Sequence, residues 1–231
     1  MSESSAEQER DGPDSVLVTP GQSLGPVGDR IAGHGVLVTE EGLISTNAGV
    51  VRQNGSTIRV EPYYSRYTPR PSDLIIGVVE SVRNNLWFVD IDGPFNALLP
   101  MSLGPMKSEF GGTRQVIDVG ESILCRIQEV EETHACVVTM KGLGLRKIQS
   151  GIVESIPPHL VDLTFGTTDR CKRLKLATDC RIIVAANGRI WVDGPPNGQR
   201  AVREFLRCVC DGATGARLDA LIEGLSGAGD E

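Results

Sequence analysis

Between Asp73 and Met140 the apolar residues come in short runs, and turn chemistry ends each one. Leu74-Ile75-Ile76-Gly77-Val78-Val79 stops at Arg83-Asn84-Asn85, and Leu86-Trp87-Phe88-Val89-Asp90-Ile91 stops at Asp92-Gly93-Pro94. Ala97-Leu98-Leu99 is closed by Pro100. Gly120-Glu121 opens Ser122-Ile123-Leu124-Cys125-Arg126-Ile127, and Cys136-Val137-Val138-Thr139-Met140 completes the set. Runs this short and this rich in β-branched residues predict five strands, and their turn spacing favours a small closed or partly open barrel. Five strands is the OB-fold count, and that fold commonly binds oligonucleotides on one face. Pleating sends Trp87, Val89 and Ile91 one way and Leu86, Phe88 and Asp90 the other. Either Trp87 or Phe88 is therefore a candidate base-stacking platform, with at least one of the pair required for the core.

The flanks follow other patterns. Val16 to Pro62 carries strand-length runs at Val16-Leu17-Val18, Gly35-Val36-Leu37-Val38, Leu43-Ile44-Ser45-Thr46, Gly49-Val50-Val51-Arg52 and Thr57-Ile58-Arg59-Val60. Asn54-Gly55 predicts a tight hairpin, with both residues at positive φ. A biotin- or lipoyl-carrier reading of this compact β unit fails, because no lysine precedes Lys107. After Gly151 the pattern becomes mixed. Ile152 to Ile156, Cys180 to Ala185 and Arg189 to Val192 read as strands, His159 to Phe165 as a short helix, and Ala201 to Val209 repeats apolar residues at helical spacing.

Composition narrows the class. Aromatic residues make up only 4% of 231, while 27 Gly and 13 Pro suit many short strands and turns. No run of 18 apolar residues predicts a transmembrane helix, and the first residues lack the basic and apolar regions of a signal peptide. Six cysteines without a Cys-x-x-Cys pair read as reduced, mostly buried thiols of an intracellular protein, not as a disulfide or zinc framework. The net charge of -7 sits mainly in the two tails. Residues 2–14 hold five acids against Arg10, and residues 211–231 hold five against Arg217, which leaves the middle nearly neutral.

Candidate chemistry is sparse. Three scattered histidines assemble no triad or metal cluster, and Asp90 and Asp92 read as ordinary turn carboxylates, so no catalytic residue, metal ligand or cofactor is expected. His34, between two glycines, reads as a turn or packing residue. Tyr63-Tyr64-Ser65-Arg66-Tyr67 with Pro69 and Pro71 forms an extended connector, read equally as a partner anchor or as a seal between barrels. Arg83, Lys107, Arg114, Arg126, Lys141, Arg146 and Lys147 border the barrel, several in turns where a phosphate groove would be built. Gly142-Leu143-Gly144-Leu145-Arg146-Lys147 is a basic hinge without a nucleotide-binding loop pattern.

These residues together resemble a family. Gly33-His34-Gly35, Glu40-Glu41, Leu43-Ile44 and Ala48-Gly49-Val50-Val51 look like the N-terminal domain of the three-domain cap subunits of the RNA exosome, most like the ribosomal RNA-processing protein 4 family. Arg66-Tyr67, Asp73 to Val82 and Trp87-Phe88-Val89-Asp90 resemble its S1 domain, an OB-type RNA binder. Leu145-Arg146-Lys147-Ile148-Gln149-Ser150-Gly151 and Asn187-Gly188-Arg189-Ile190-Trp191-Val192 resemble the entry and signature of its KH domain. The likeness covers about residues 16 to 195 in order. It departs at three places. A KH domain that grips RNA uses a Gly-x-x-Gly clamp, and here Gly166-Thr167-Thr168-Asp169 stands instead. The family's Gly-x-Asn-Gly turn appears as Ala185-Ala186-Asn187-Gly188, without its first glycine, and the segment after Arg200 is short for a eukaryotic member. In this family the Asn187-Gly188 turn looks structural, packing the KH domain on the S1 domain.

Pattern and resemblance give a mainly β chain with a C-terminal α+β domain. The expected division is a disordered acidic tail (1–15), a small N-terminal β barrel or sandwich (16–66), an S1 (OB-fold) barrel (67–141), a linker (142–150) and a KH-like domain ending in a helix (151–231). The resemblance implies a non-catalytic cap subunit that docks on a ring of RNase PH-like proteins beside other S1/KH cap subunits. It would guide single-stranded RNA into the pore for 3'-5' degradation and processing, in the nucleus and cytoplasm if the host is eukaryotic. Arg83, Trp87, Lys107, Arg114, Lys141, Arg146 and Lys147 would touch RNA. Gly33, His34, Gly35, Arg66, Tyr67, Asn187, Gly188 and Trp191 would form its structural signature. The alternative is a free-standing S1/KH factor of RNA processing or translation.

Overall fold

A computed structural model describes residues 16–62, 66–106, 111–133, 135–166, 169–213 and 215–227. The acidic tail at 1–15, Tyr63, Tyr64, Lys107, Thr167 and Thr168 lie outside the described residues. The chain divides into two units, Met1–Tyr64 and Ser65–Glu231.

The first unit is two small sheets. One runs β1 (Leu17–Val18), β6 (Gly49–Asn54), β7 (Thr57–Pro62), β3 (Ile31–Ala32), and the other β2 (Ser23–Gly25), β5 (Gly42–Ser45), β4 (Val36–Thr39). Val18, Leu43, Ile58 and Val60 form the buried apolar set. The hairpin between β6 and β7 sits one residue later than Asn54-Gly55 predicts. Asn54 pairs with Thr57, so the loop is Gly55-Ser56 with Gly55 at φ +57. A glycine first in a two-residue loop is the second mirror-image turn type, which needs positive φ only there.

The second unit begins with the barrel. β8 (Leu74–Val82), β9 (Leu86–Asp90), β10 (Ala97–Pro100), β11 (Ser122–Val130) and β12 (Cys136–Thr139) lie where the five apolar runs predict them. Going round the barrel the order is β8-β9-β10-β12-β11 and back to β8. The β10–β12 pairing is parallel and the others are antiparallel, so the sheet closes and leaves no open edge within the five. Register shifts at Val79/Ser81 and Ile127/Glu129 bend the two longest strands enough to close. Trp87, Val89, Ile91, Leu99, Ile123, Ile127 and Val138 fill the interior, with Tyr67 at its margin. The short helix α1 (Thr113–Val116) leads to Ile117, whose carbonyl accepts the Trp87 indole N–H at 2.9 Å.

The segment expected to be a linker is part of the sheet. Arg146–Lys147 forms β13, paired with Leu124 and Ile123 along the half of β11 that β12 leaves free. Beyond it come β14 (Ile152–Ser155), α2 (His159–Val161), a wide turn at Asp162–Gly166, α3 (Arg170–Thr178), β15 (Arg181–Val184), β16 (Arg189–Asp193), α4 (Pro196–Cys210) and α5 (Gly215–Gly227). The three strands order β14-β16-β15, all antiparallel. Val202, Phe205, Leu206 and Val209 on α4 bury against Ile182, Ile190 and Val192, as the 3.6-residue period predicts. Helix α3 has no such signature, because Arg170, Lys172, Arg173 and Lys175 fill it and only Leu174 is a fully buried apolar residue. None of the described helices is long and apolar enough to cross a membrane.

Candidate nucleic-acid interface

Strand pairing aligns the outward residues of three neighbouring strands. Phe88 stands opposite Leu98, and Leu98 opposite Val137. Their pleat neighbours Trp87, Val89, Leu99, Cys136 and Val138 are buried inside, so Phe88, Leu98 and Val137 face out, and all three remain half-exposed. The next row along is Leu86 and Pro100, with Arg126 opposite Thr139. The row on the other side is acidic and polar: Asp90, and Asn96 donating to the Glu80 carboxylate. A flat ring among aliphatic neighbours, with cations at one end, can stack a base and meet its phosphates.

The cations gather at one rim. The Arg83-Asn84-Asn85 turn is tied to the loop before α1 by Gly111 N–H to Asn84 O at 3.0 Å and by the Thr113 hydroxyl to Arg83 O. Met101 N–H donates to Asn85 O, and Met140 N–H to Leu103 O, both within 2.9 Å. These bonds bring Arg83, Arg114 and Lys141 to the same end of the barrel, all exposed. Arg114 spends part of its charge on Asp118 at 3.6 Å, whereas Arg83 and Lys141 make no ion pair among the described residues.

Two expectations need correction. Trp87 is fully buried with its N–H committed to Ile117, so it cannot stack a base; of the two stacking candidates only Phe88 faces out. Arg146 and Lys147 do not stand on a free hinge. As β13 they are fixed beside the C-terminal sheet, with Lys147 paired to Glu121 at 2.5 Å and Arg146 over the Trp191 ring at 4.9 Å. The Lys147 hydrogen bond holds the Glu121 carboxyl below the usual carboxylate range.

A seam joins the barrel to the C-terminal sheet. Ile76 and Leu124, outward on β8 and β11, pack with Ala185 and Trp191, and Leu145, Ile148, Val153 and Ile183 close around them. Asn187, fully buried, donates from Nδ2 to the carbonyls of Ile76 and Ile91 at 2.8 and 2.9 Å. Arg189 donates to the carbonyl of Asp90 at 2.7 Å and pairs with its carboxylate. Burial alone would raise the Asp90 carboxyl, but the Arg189 and Asp92 N–H bonds outweigh it and hold the group low. Asp90 thereby fastens the seam. Between Asn187 and Arg189 the chain turns at Gly188, φ +81, where an added Cβ would run into the Ile156 carbonyl oxygen.

The remaining signature residues are equally local. Tyr67 is buried and donates to Asp73 Oδ2 at 2.7 Å, so burial first, and Asp73 second, push its phenol up; Arg66 beside it is exposed. In the N-terminal unit Gly33 N–H donates to Ile58 O, Val60 N–H to His34 O and Thr46 N–H to Gly35 O, each within 2.9 Å. Gly33-His34-Gly35 is thus a close crossing of β7, with the His34 side chain exposed. Among the described residues no three His, Cys, Asp or Glu side chains are grouped to hold a metal ion.

The chain is similar in sequence to several known proteins. The exosome complex component Rrp4 of Methanothermus fervidus is 31% identical over 194 residues, 84% of this chain and 86% of that protein. The chain belongs to the Rrp4 family of exosome components. Another member, from Thermoplasma acidophilum, is 31% identical over 182 residues, 75% of each chain. The match spans only 51% of the Methanobrevibacter smithii member and 61% of the Methanothermobacter thermautotrophicus one. The crystal structure of a putative exosome complex RNA-binding protein superposes with a TM-score of 0.63 at 25% identity, over 71% of this chain and 97% of that one. No family model matches.

Within this family member, charge is divided in a way the overall balance hides. Residues 67–141 hold six Lys and Arg against ten Asp and Glu, whereas residues 142–210 hold eleven against six. The barrel is acidic, and residues 142–210 behind the seam carry a positive balance that the acids of 211–231 nearly cancel. Sequence reading missed Arg189 as a partner of the barrel. It also missed the row at Leu98 and Val137, although apolar residues on both faces of β9, β10 and β12 were a usable signal.

Proposed function

We propose that this chain is a non-catalytic, RNA-binding cap subunit of an exosome. It docks through its N-terminal unit on a ring of RNase PH-like subunits beside other S1/KH cap subunits. It threads single-stranded RNA toward the pore for 3'-5' degradation and processing. The barrel acts as an S1 domain and the C-terminal unit as a KH-like domain that braces it. The observation that carries this reading is the half-exposed Phe88–Leu98–Val137 row, with Arg83 and Lys141 at the rim of the barrel beyond it, on a closed five-strand barrel of a family of exosome components.

Phe88 stacks a base, the aliphatic neighbours exclude water, and Arg83, Arg114 and Lys141 neutralise phosphates. The acidic balance of residues 67–141 keeps the isolated barrel a weak binder. RNA would therefore pass along it and not be held. The exposed Ile31, Leu37 and Val38 supply apolar surface for docking in the N-terminal unit. Its archaeal relatives lend no support to the nuclear part of the expected location; the proposed site of action is simply inside the cell.

Affinity purification of the tagged chain from its own host, followed by native mass spectrometry, tests the reading. Recovery of RNase PH-like subunits in stoichiometric amounts is the expected result. A chain that runs alone and binds RNA tightly by itself would point to the free-standing factor instead.

A further inference from the structure

We propose that Arg146 and Arg181, both stacked on Trp191 at the mouth of the seam, form a clamp for one phosphodiester of the RNA strand. The proposal rests on the RNA-binding reading above and extends it beyond the barrel.

The two arginines come from different parts of the fold. Arg146 lies on β13 opposite Leu124, and Arg181 lies on β15 opposite Asp193. Ile183 is the residue of β15 opposite Trp191, so Arg181 and Trp191 are diagonal neighbours on the sheet face that meets the barrel. Their guanidinium carbons stand 4.9 and 5.7 Å from the same ring. The ring cannot turn, because Trp191 is 4% exposed and its Nε1–H donates to Ser150 O at 2.7 Å. A guanidinium laid on an aromatic face keeps its donors in its own plane, directed outward in the fork that fits phosphate.

The charges leave room for an anion. Arg181 shares its charge with Asp193, whose Oδ2 also accepts the Ser150 hydroxyl at 3.2 Å. Arg146 makes no ion pair among the described residues, and its neighbour Lys147 is already held by Glu121. One positive charge therefore stands uncompensated on a pre-oriented donor. Arg146 follows Lys141 by five positions, no more than about 18 Å even fully extended. A single strand crossing Phe88 and leaving past Lys141 reaches the clamp within a few nucleotides.

The full chain, with Arg146→Ala and Arg181→Ala singly and together and with both changed to Lys, is titrated with a fluorescent single-stranded oligoadenylate over a range of salt. Thermal melts of every variant check folding. The double alanine variant should bind about tenfold more weakly, and its plot of log affinity against log salt should flatten by about 0.7, the loss of one phosphate contact. The double lysine variant should recover the slope but only part of the affinity, since lysine keeps the charge without the fork. Excess inorganic phosphate should not displace the oligonucleotide, because one ion lacks the neighbouring contacts.

Unchanged affinity and slope in the double alanine variant, with binding still lost on Arg83→Ala plus Lys141→Ala, would overturn the clamp and leave the cap reading intact. A folded wild-type chain that binds no oligoadenylate, alone or in its native assembly, would overturn both.

Discussion

The barrel turns two outward faces away from its core, and they end differently. On the β8–β11 side, Ile76 and Leu124 face out and are covered completely by Ala185, Trp191 and their neighbours. On the β9–β10–β12 side, Phe88, Leu98 and Val137 face out and stay half-exposed. Both faces are apolar, and both come from strands whose apolar residues run on without alternation, the mark of burial on two sides. One face has its cover within the chain, fixed by Asn187 and Arg189. For the other, a stacked base is the cover that an aromatic among aliphatic residues suits.

The sharpest way to break this comparison uses neighbours in sequence. Trp87→Ala empties the core behind the open face and should cost about 3–5 kcal/mol of stability, read as a lower denaturation midpoint. Phe88→Ala, one residue on, should leave that midpoint nearly unchanged and weaken RNA binding by roughly 1–3 kcal/mol. If both variants lose stability alike, Phe88 belongs to a packed face and the open-face reading is wrong.

On the covered side the corresponding change is Asn187→Ala. It leaves the Ile91 carbonyl without its buried donor, and Ile76 keeps only the Arg189 bond. The expected loss is about 2–3 kcal/mol, measured by denaturant titration, with oligonucleotide affinity unchanged wherever the variant is folded. A drop in affinity beyond the unfolded fraction would place RNA on the seam turn itself.

These two faces also show what the sequence could and could not reveal. The five barrel strands were legible because each is a short β-branched run between turn residues. Apolar residues at 202, 205, 206 and 209 showed α4 for the same local reason. Trp87 could not be told from Phe88, because period-2 alternation gives two faces but not which one is inside. Arg146-Lys147 read as a hinge because its partners, Ile123 and Leu124, lie more than twenty residues away. Helix α3 stayed hidden because its amphipathicity is satisfied by charge. Arg170 reaches Asp219 with Nε and Nη2, and Arg173 reaches Asp219 and Glu223 on α5.

That clasp gives a smaller, pH-dependent test of the layer that covers the seam. The Arg170 hydrogen bond is the main reason the Asp219 carboxyl sits below its ordinary 3.8, with burial opposing it. A group depressed in the folded state stabilises above its unfolded value and loses that contribution as pH falls through the folded one. Stability should therefore decline below about pH 4, and Asp219→Asn should remove that part of the decline while lowering the midpoint at neutral pH. Equal acid sensitivity in wild type and variant, followed by helix circular dichroism, would show that α5 is held by Leu218 and Ile222 alone.

The smallest effects belong to the rim, and they separate positioning from stacking. Arg83 and Lys141 are exposed and unpaired among the described residues, so removing them costs little stability. Each phosphate they neutralise contributes about 0.7 to the slope of log affinity against log salt for a single strand. Arg83→Ala with Lys141→Ala should thus flatten the slope by about 1.4, whereas Phe88→Ala should shift the line downward at constant slope. Arg114→Ala should do less than either rim change, because Asp118 already draws on its charge. If Phe88→Ala changed the slope instead, the ring would be arranging cations, not holding a base, and the open face would be electrostatic after all.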